Sequence, residues 1–257
     1  MGMLQSDRHL ARRRSHVPAV KFATKLVEKH PRTPGITTFR FERPGDYQFK
    51  PGQWFVIDIP GSHEPLTKHF THSSSPTEPF LEFTTRLTGS DFKNTLDGLA
   101  MGTEVRMEGP FGAFTIREGL RKIAFLTGGI GVTPVRSILR SLADGYGGGM
   151  PEGLQLTILF GNVSEQTITF GDELAAIAGS LPGVRLVNIL SDPSDSWTGH
   201  RGRIDREIVG AELPDASEWT YYVSGPPPMV EAMRNILSEL EIPRKQMVLE
   251  NFEGYAS

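Results

Sequence analysis

The chain has 257 residues, 38% hydrophobic and 22% charged, with a formal net charge of −3. That is room for one large domain or two ordinary ones, with no charge excess to select nucleic acid as a partner. The sequence holds no cysteine, which excludes disulfides, a thiol nucleophile and a cysteine-ligated iron–sulfur cluster built from it. No apolar run approaches the ~20 residues that cross a bilayer. The N-terminal arginines are followed by no apolar leader segment, so a cytoplasmic location is expected.

Residues 1–17 read as a flexible, solvated arm carrying Arg12, Arg13 and Arg14. From 18 to 118 the pattern is of short strands broken by turn residues. Phe22 to Val27, Ile36 to Phe41, Trp54 to Ile59, Leu81 to Arg86 and Val105 to Glu108 are the predicted strands. Arg43-Pro44-Gly45-Asp46, Lys50-Pro51-Gly52 and Pro76-Thr77-Glu78-Pro79 supply the turns between them. Many short strands at this spacing predict an antiparallel β-barrel. One helix interrupts it, running from an N-cap at Ser90 through Asp91-Phe92-Lys93 to Gly98.

Two segments of this half carry candidate chemistry. Lys68-His69-Phe70-Thr71-His72-Ser73-Ser74-Ser75 sets a cation, an aromatic ring and a row of hydroxyls within eight residues. Such a set pairs with phosphate, packs on a flat ring and hydrogen-bonds ring nitrogens; the alternative is a serine-rich surface loop. Gly89-Ser90 opens the helix, offering its free N–H groups to a pyrophosphate, with Arg86 just ahead. A structural helix cap is the alternative there. His63, His69 and His72 lack the carboxylate pattern that would complete a metal site, so no metal is expected. Ser73 to Ser75 lack the glycine elbow of a hydrolase nucleophile.

After residue 118 the pattern changes. Ile123–Leu126, Leu154–Phe160, Val184–Leu190, Thr220–Val223 and Met247–Leu249 are short, continuous apolar runs, suited to strands buried on both faces of a parallel sheet. Helices are predicted at Pro134–Ala143, with Thr133 as cap, and at Asp172–Ala178 and Met229–Leu240. This alternation predicts a doubly wound parallel-sheet domain over 119–257. Two strand ends in it are lipped by small residues: Gly128-Gly129-Ile130-Gly131-Val132-Thr133-Pro134, and Ser224-Gly225-Pro226-Pro227-Pro228-Met229. Each removes bulk where backbone must approach a ligand, and the first leads into a helix N-terminus. Together they frame a cleft for a large, flat, phosphate-bearing molecule, which points to a nicotinamide nucleotide.

With those motifs in hand, the chain resembles a family. Lys68-x-Phe70-Thr71, Gly109-Pro110-Phe111-Gly112, the Gly128–Pro134 loop, Ser224–Met229 and Glu250-Asn251-Phe252-Glu253-Gly254-Tyr255 stand in the order and spacing of ferredoxin–NADP reductase-like flavoproteins. The resemblance spans about residues 18 to 255 and implies β + α/β architecture: a flavin-binding barrel, then a nicotinamide-nucleotide domain, with the flavin between. It places Phe70 against the isoalloxazine and the Thr71 hydroxyl near its N5. Lys68 stands where the family usually has arginine, keeping the charge and losing the bidentate fork, with Arg86 near to compensate. Gly89 and Ser90, with His69 and Phe92 beside them, match the flavin-contacting segments. Ser224 takes the place of a cysteine beside the nicotinamide. Glu250 matches an acidic residue near the reaction centre, so Thr71, Ser224 and Glu250 are the catalytic candidates. Tyr255 resembles an aromatic that covers the flavin.

On the nucleotide side the resemblance gives Gly128, Gly129, Gly131, Thr133, Pro134, Asn162, Val163, Gly225, Pro226 and Met229. NADPH-preferring relatives commonly carry arginine at the Val163 position. Valine cannot meet a 2′-phosphate and Glu165 would repel it, so NADH is favoured over NADPH, with Arg201 or Arg203 as the cations that could reverse this. FAD is favoured over FMN. The resulting expectation is an FAD-dependent NAD(P)H oxidoreductase that passes electrons to a separate redox protein such as a ferredoxin. A reductase of small acceptors (diaphorase, ferric or flavin reductase) and a non-catalytic flavin- or nucleotide-binding subunit stay open.

Overall fold

The computed structural model describes residues 18–252; the expected arm, its arginines and Tyr255 lie outside that range. The first half holds β1 (Val20–Thr33), β2 (Ile36–Glu42), β3 (Trp54–Ile59), β4 (Leu66–Thr71), β5 (Phe80–Arg86), α1 (Asp91–Gly98) and β6 (Glu104–Phe111). The strands pair antiparallel in the order β4-β3-β6-β1-β2-β5. β1 belongs to both halves of the sheet: Val20 to Lys25 pair with β6, Leu26 to Thr33 with β2, and a register shift after Leu26 bends it. That bend curls the sheet until its two edges meet. Phe70 of β4 stacks on Phe83 of β5 with centroids 4.2 Å apart, and the N–H groups of Ser73 and Ser74 both donate to the Glu82 carbonyl.

Alternation decides what fills the barrel. On β3 Phe55, Ile57 and Ile59 point inward and are buried, while Trp54, Val56 and Asp58 lie on the other face. They meet Leu26, Phe39, Phe41, Leu81, Phe83 and Val105, and α1 closes the end with Phe92 and Leu96.

The second half alternates strand and helix: β7 (Lys122–Gly128), α2 (Thr133–Ala143), β8 (Gln155–Asn162), α3 (Gly171–Ser180), β9 (Val184–Leu190), β10 (His200–Arg201), α4 (Arg206–Glu212), β11 (Thr220–Gly225), α5 (Pro227–Glu239) and β12 (Met247–Asn251). Its parallel sheet has the order β10-β9-β8-β7-β11-β12. From β7 the chain steps outward to β10, then returns to lay β11 on the other side of β7. A crevice therefore opens at the carboxyl ends of β7 and β11, the place where open α/β sheets bind ligands. Val135, Ile138, Leu139, Leu174 and Ile177 cover one face, and Ile208, Val209, Val230, Met233 and Leu237 the other.

Lys68 to Thr71 lie on a strand, β4, that is absent from the predicted strands. Ser73, Ser74 and Ser75 are fully buried, so the surface-loop alternative falls. Thr133 is not the cap of α2: a 3-10 turn over Gly129–Val132 precedes the helix, and the Thr133 hydroxyl donates back to the Ile130 carbonyl at 3.2 Å. Among the described residues no helix is long and apolar enough to cross a membrane.

Candidate active site

On the barrel side, β4 leaves Lys68 and His69 exposed and buries Phe70 and Thr71. Phe70 is only 8% exposed. Phe83 stacks on it, and the Lys93 ammonium lies 4.2 Å from its ring centroid. Phe70 thus packs largely into the barrel core. Phe92 likewise packs inward, 5.7 Å from Phe70.

Lys93 was not foreseen. Its Nζ donates to the Thr85 hydroxyl, and burial, with the Lys68 charge adding to it, pulls its pKa down to about 7. A lysine in the first turn of a helix opposes the helix dipole, and that was the available signal. His72 is fully buried between Phe49 and Phe55, with its Nε2 3.0 Å from the Tyr47 hydroxyl; burial pulls its pKa down to about 3, so it stays neutral. Gly89 holds a φ of +76°, and a Cβ there would meet nothing within 4 Å, which leaves open space in front of the α1 N-terminus. Exposed Arg86 and Lys68 supply cations on this side. These features fit a flavin diphosphate.

On the nucleotide side, the glycines have distinct tasks. A Cβ on Gly131 would sit 2.3 Å from the Ser224 carbonyl oxygen, so the loop can pack on the end of β11 only as glycine. Cβ atoms on Gly128 and Gly225 would strike the Met229 sulfur at 2.4 and 2.9 Å, which places Met229 as the floor between the two strand ends. Gly129, at φ +50°, faces open space. Its backbone and the start of α2 fit a pyrophosphate.

Ser224 is fully buried; its Oγ donates to the Gly131 carbonyl at 2.8 Å and lies 3.3 Å from the Thr127 hydroxyl. It braces the glycine loop rather than presenting a hydroxyl to the cleft. Thr133 and Pro134 are buried as well and offer the ligand helix geometry, not side chains. Pro226 and Gly225 continue the β11 end into α5.

At the end of β8, both polar side-chain atoms of Asn162 are buried without a partner, and Val163 is 55% exposed. Glu165 accepts from the Ser194 N–H at 3.2 Å and from the Ser194 hydroxyl, bonds that hold its carboxyl below the usual range. Arg201 Nη2 is committed to the carbonyls of Ser194, Asp195 and Trp197 at 2.9, 3.3 and 3.0 Å.

The two sides meet at one bond. The Thr71 hydroxyl donates to Glu250 Oε1 at 2.8 Å, and Glu250 on β12 stands beside Ser224 on β11. Burial pushes the Glu250 carboxyl up to about 7, with the Thr71 bond opposing. Behind it, Arg136 of α2 reaches back into the barrel. This buried arginine on an apolar helix face was also missed, although a charge between Val135 and Ile138 was a legible anomaly.

An antiparallel barrel followed by a doubly wound sheet, the two joined by one hydroxyl–carboxyl pair, is the architecture of a two-domain flavin and pyridine-nucleotide protein. Residues 23–116 match the Oxidoreductase FAD-binding domain and residues 125–235 the Oxidoreductase NAD-binding domain. Ferredoxin–NADP reductase B of Sorangium cellulosum is 32% identical over 253 residues, covering 92% of this chain and all of that protein. The reductase component of propane 2-monooxygenase from Rhodococcus jostii is 29% identical over 251 residues, covering 93% of this chain and 66% of that protein, so the chain spans about two thirds of that relative. A ferredoxin NADP+ reductase from Neisseria gonorrhoeae with bound FAD and NADP superposes with a TM-score of 0.77 at 18% identity, over 90% of this chain and 98% of that one. The chain belongs to the ferredoxin–NADP reductase-like flavoprotein oxidoreductases. It is an FAD-dependent NAD(P)H oxidoreductase.

Proposed function

We propose that the protein oxidises NADH in preference to NADPH and passes the electrons through FAD to a separate redox protein such as a ferredoxin, in the cytoplasm. The observation that carries the reading is the Thr71–Glu250 bond, because it joins the strand of the flavin side to the sheet of the nucleotide side at 2.8 Å. We take the division between the domains at residue 118. When bound, FAD supplies the acceptor for the nicotinamide hydride and the donor to the next carrier.

The chain's own residues supply position and charge. The open backbone at Gly129 and the N-terminus of α2 would hold the pyrophosphate of the nucleotide, and Met229 packs between the two strand ends beside them. Thr71 keeps its hydroxyl at the reacting edge and orients Glu250, whose carboxyl, raised to about 7, is poised to hold or release a proton near neutrality. The absence of cysteine means that a cluster-bearing acceptor comes from outside this sequence. Coenzyme preference follows from charge. Glu165, held by Ser194 just past the β8 end, would repel a 2′-phosphate there, and the Arg201 Nη2 that could offset it is bound to three carbonyls. A preference for NADH of at least about tenfold is expected.

The test is an anaerobic visible-absorbance titration of the purified protein with each nucleotide, followed by turnover with an added ferredoxin. Bleaching of bound flavin at lower NADH than NADPH, and faster turnover with the ferredoxin, are the expected results. Flavin that neither nucleotide bleaches sinks the reading. Bleaching that favours NADPH overturns the coenzyme preference alone. High rates with dyes and no gain from the ferredoxin overturn the acceptor.

A further inference from the structure

We propose that Arg136 is a positioning residue for hydride transfer: it ties the helix behind the nucleotide loop to the segment leaving Thr71, and so fixes the two reacting sites relative to each other. The proposal rests on the oxidoreductase reading above.

Arg136 lies in the first turn of α2, three residues after Thr133. Its guanidinium crosses into the barrel half. Nη1 donates to the Ser73 carbonyl at 2.8 Å and to Glu78 Oε2 at 2.6 Å, and Nη2 to Glu78 Oε1 at 3.0 Å; Nη2 also donates to Glu173 Oε1 of α3, in its own half, at 2.7 Å. The next residue repeats the crossing, since the Ser137 hydroxyl donates to the Ser74 carbonyl at 2.6 Å. Ser73 and Ser74 follow Thr71 by two and three positions, so both anchors fall on the backbone that leads away from the hydroxyl facing Glu250.

The barrel end of the clamp is itself held. Ser73 Oγ donates to Glu82 Oε1 at 2.8 Å, and Arg40 Nε to Glu82 Oε2 at 2.8 Å. Glu82 is completely buried and the Arg136 side chain is 4% exposed. A two-pronged guanidinium locked between two carboxylates and a carbonyl restricts how α2 sits against the segment that follows β4. Misplacement of reacting groups by about 1 Å costs on the order of a hundredfold in rate, so such a lock acts on catalysis without touching either ligand.

The test compares the flavin-loaded protein with Arg136→Lys, which keeps the charge and loses the fork, and with Ser137→Ala, which removes one crossing bond and no charge. Anaerobic stopped-flow mixing with the preferred nucleotide reads the limiting rate of flavin bleaching, the nucleotide Kd and the long-wavelength nicotinamide–flavin charge-transfer absorbance. For Arg136→Lys the limiting rate should fall roughly ten- to a hundredfold and the charge-transfer band should weaken, with flavin content unchanged and Kd within about threefold. Ser137→Ala should change both in the same direction by less, and it carries the test if the lysine variant does not fold. Unchanged limiting rate and band in the folded variants, with only a lower melting temperature, overturn the proposal. If neither nucleotide bleaches wild-type flavin, the oxidoreductase reading fails and the proposal with it, and the wild-type trace separates that failure from the first.

Discussion

Glu250 carries a carboxyl that burial lifts from 4.5 to about 7, against the lowering pull of the Thr71 hydroxyl. A raised carboxyl binds more protons folded than unfolded. Its contribution to stability is therefore full below pH 4.5 and is lost as pH rises through 7. The same ionisation falls in the working range of the reaction, so flavin bleaching measured from about pH 5.5 to 8.5 should show an inflection near neutrality. Glu250→Gln should abolish the inflection, and Thr71→Val should move it upward, because the bond that favours the charged form is gone. An inflection that persists unchanged in Glu250→Gln sinks this assignment. The motif order brings Thr71 and Glu250 to notice as candidates. Their contact does not lie in the sequence, because 179 positions separate them and only the docking of two sheets closes the gap. The same holds for Ser224, whose type suggests a hydrogen bond but whose direction, toward the Gly131 carbonyl, depends on a loop packed above it.

At the scale of elements, the parallel strands are the most legible part because burial on both faces leaves continuous Val, Ile and Leu runs. Strand β4 is the least legible. Thr67, Lys68 and His69 in its middle are all exposed, so the alternation that marks a half-buried strand is missing. The pair β10 and α4 are too short to show a period, although Asp205, whose carboxylate accepts from the Ile208 N–H at 2.9 Å, is a readable cap. The glycine turn between β7 and α2 was legible as a ligand approach, and its geometry adds a sharper expectation. In Gly131→Ala the new Cβ meets backbone on the facing strand, at 2.3 Å from Ser224 O and 2.7 Å from Gly225 Cα, and no side chain can yield to relieve it. The loop must lift, carrying the α2 N-terminus with it. Nucleotide affinity should fall by at least about tenfold, while flavin content stays unchanged, since Gly131 belongs to the α/β half. Isothermal titration with the nucleotide checks this, and an unaltered Kd is the result that counts against it.

At the scale of the whole molecule, the order of a barrel and a doubly wound sheet is written in the change of hydrophobic pattern near residue 118, but the way the halves lock is not. Besides the Arg136 and Ser137 crossings, Thr77 donates to Asp144 at 2.6 Å, and the Thr33 and Thr169 hydroxyls lie 3.2 Å apart. Each of these contacts joins residues far apart in the chain and of types that are usually solvated, so no local pattern announces them. Their energetics argue for one cooperative unit. Removing one partner of a buried ion pair costs about 3–5 kcal/mol, a large share of the ~5–15 kcal/mol that holds a typical domain. Separating the halves would strip Glu78 of Arg136, leave Glu82 to Arg32 and Arg40, and open the Thr71–Glu250 bond. Neither half is then expected to persist alone once the other melts. Urea unfolding of the flavin-loaded protein should give coincident transitions by flavin fluorescence, which reports the interface, and by far-ultraviolet circular dichroism, which reports mainly the α/β helices. Arg136→Met removes the charge that joins them, so its two transitions should separate, with flavin release moving to lower urea first. Coincident curves in this variant would mean that apolar packing, such as Phe114 in one core with Val135 and Ile138, rather than the ionic clamp, makes the molecule one unit.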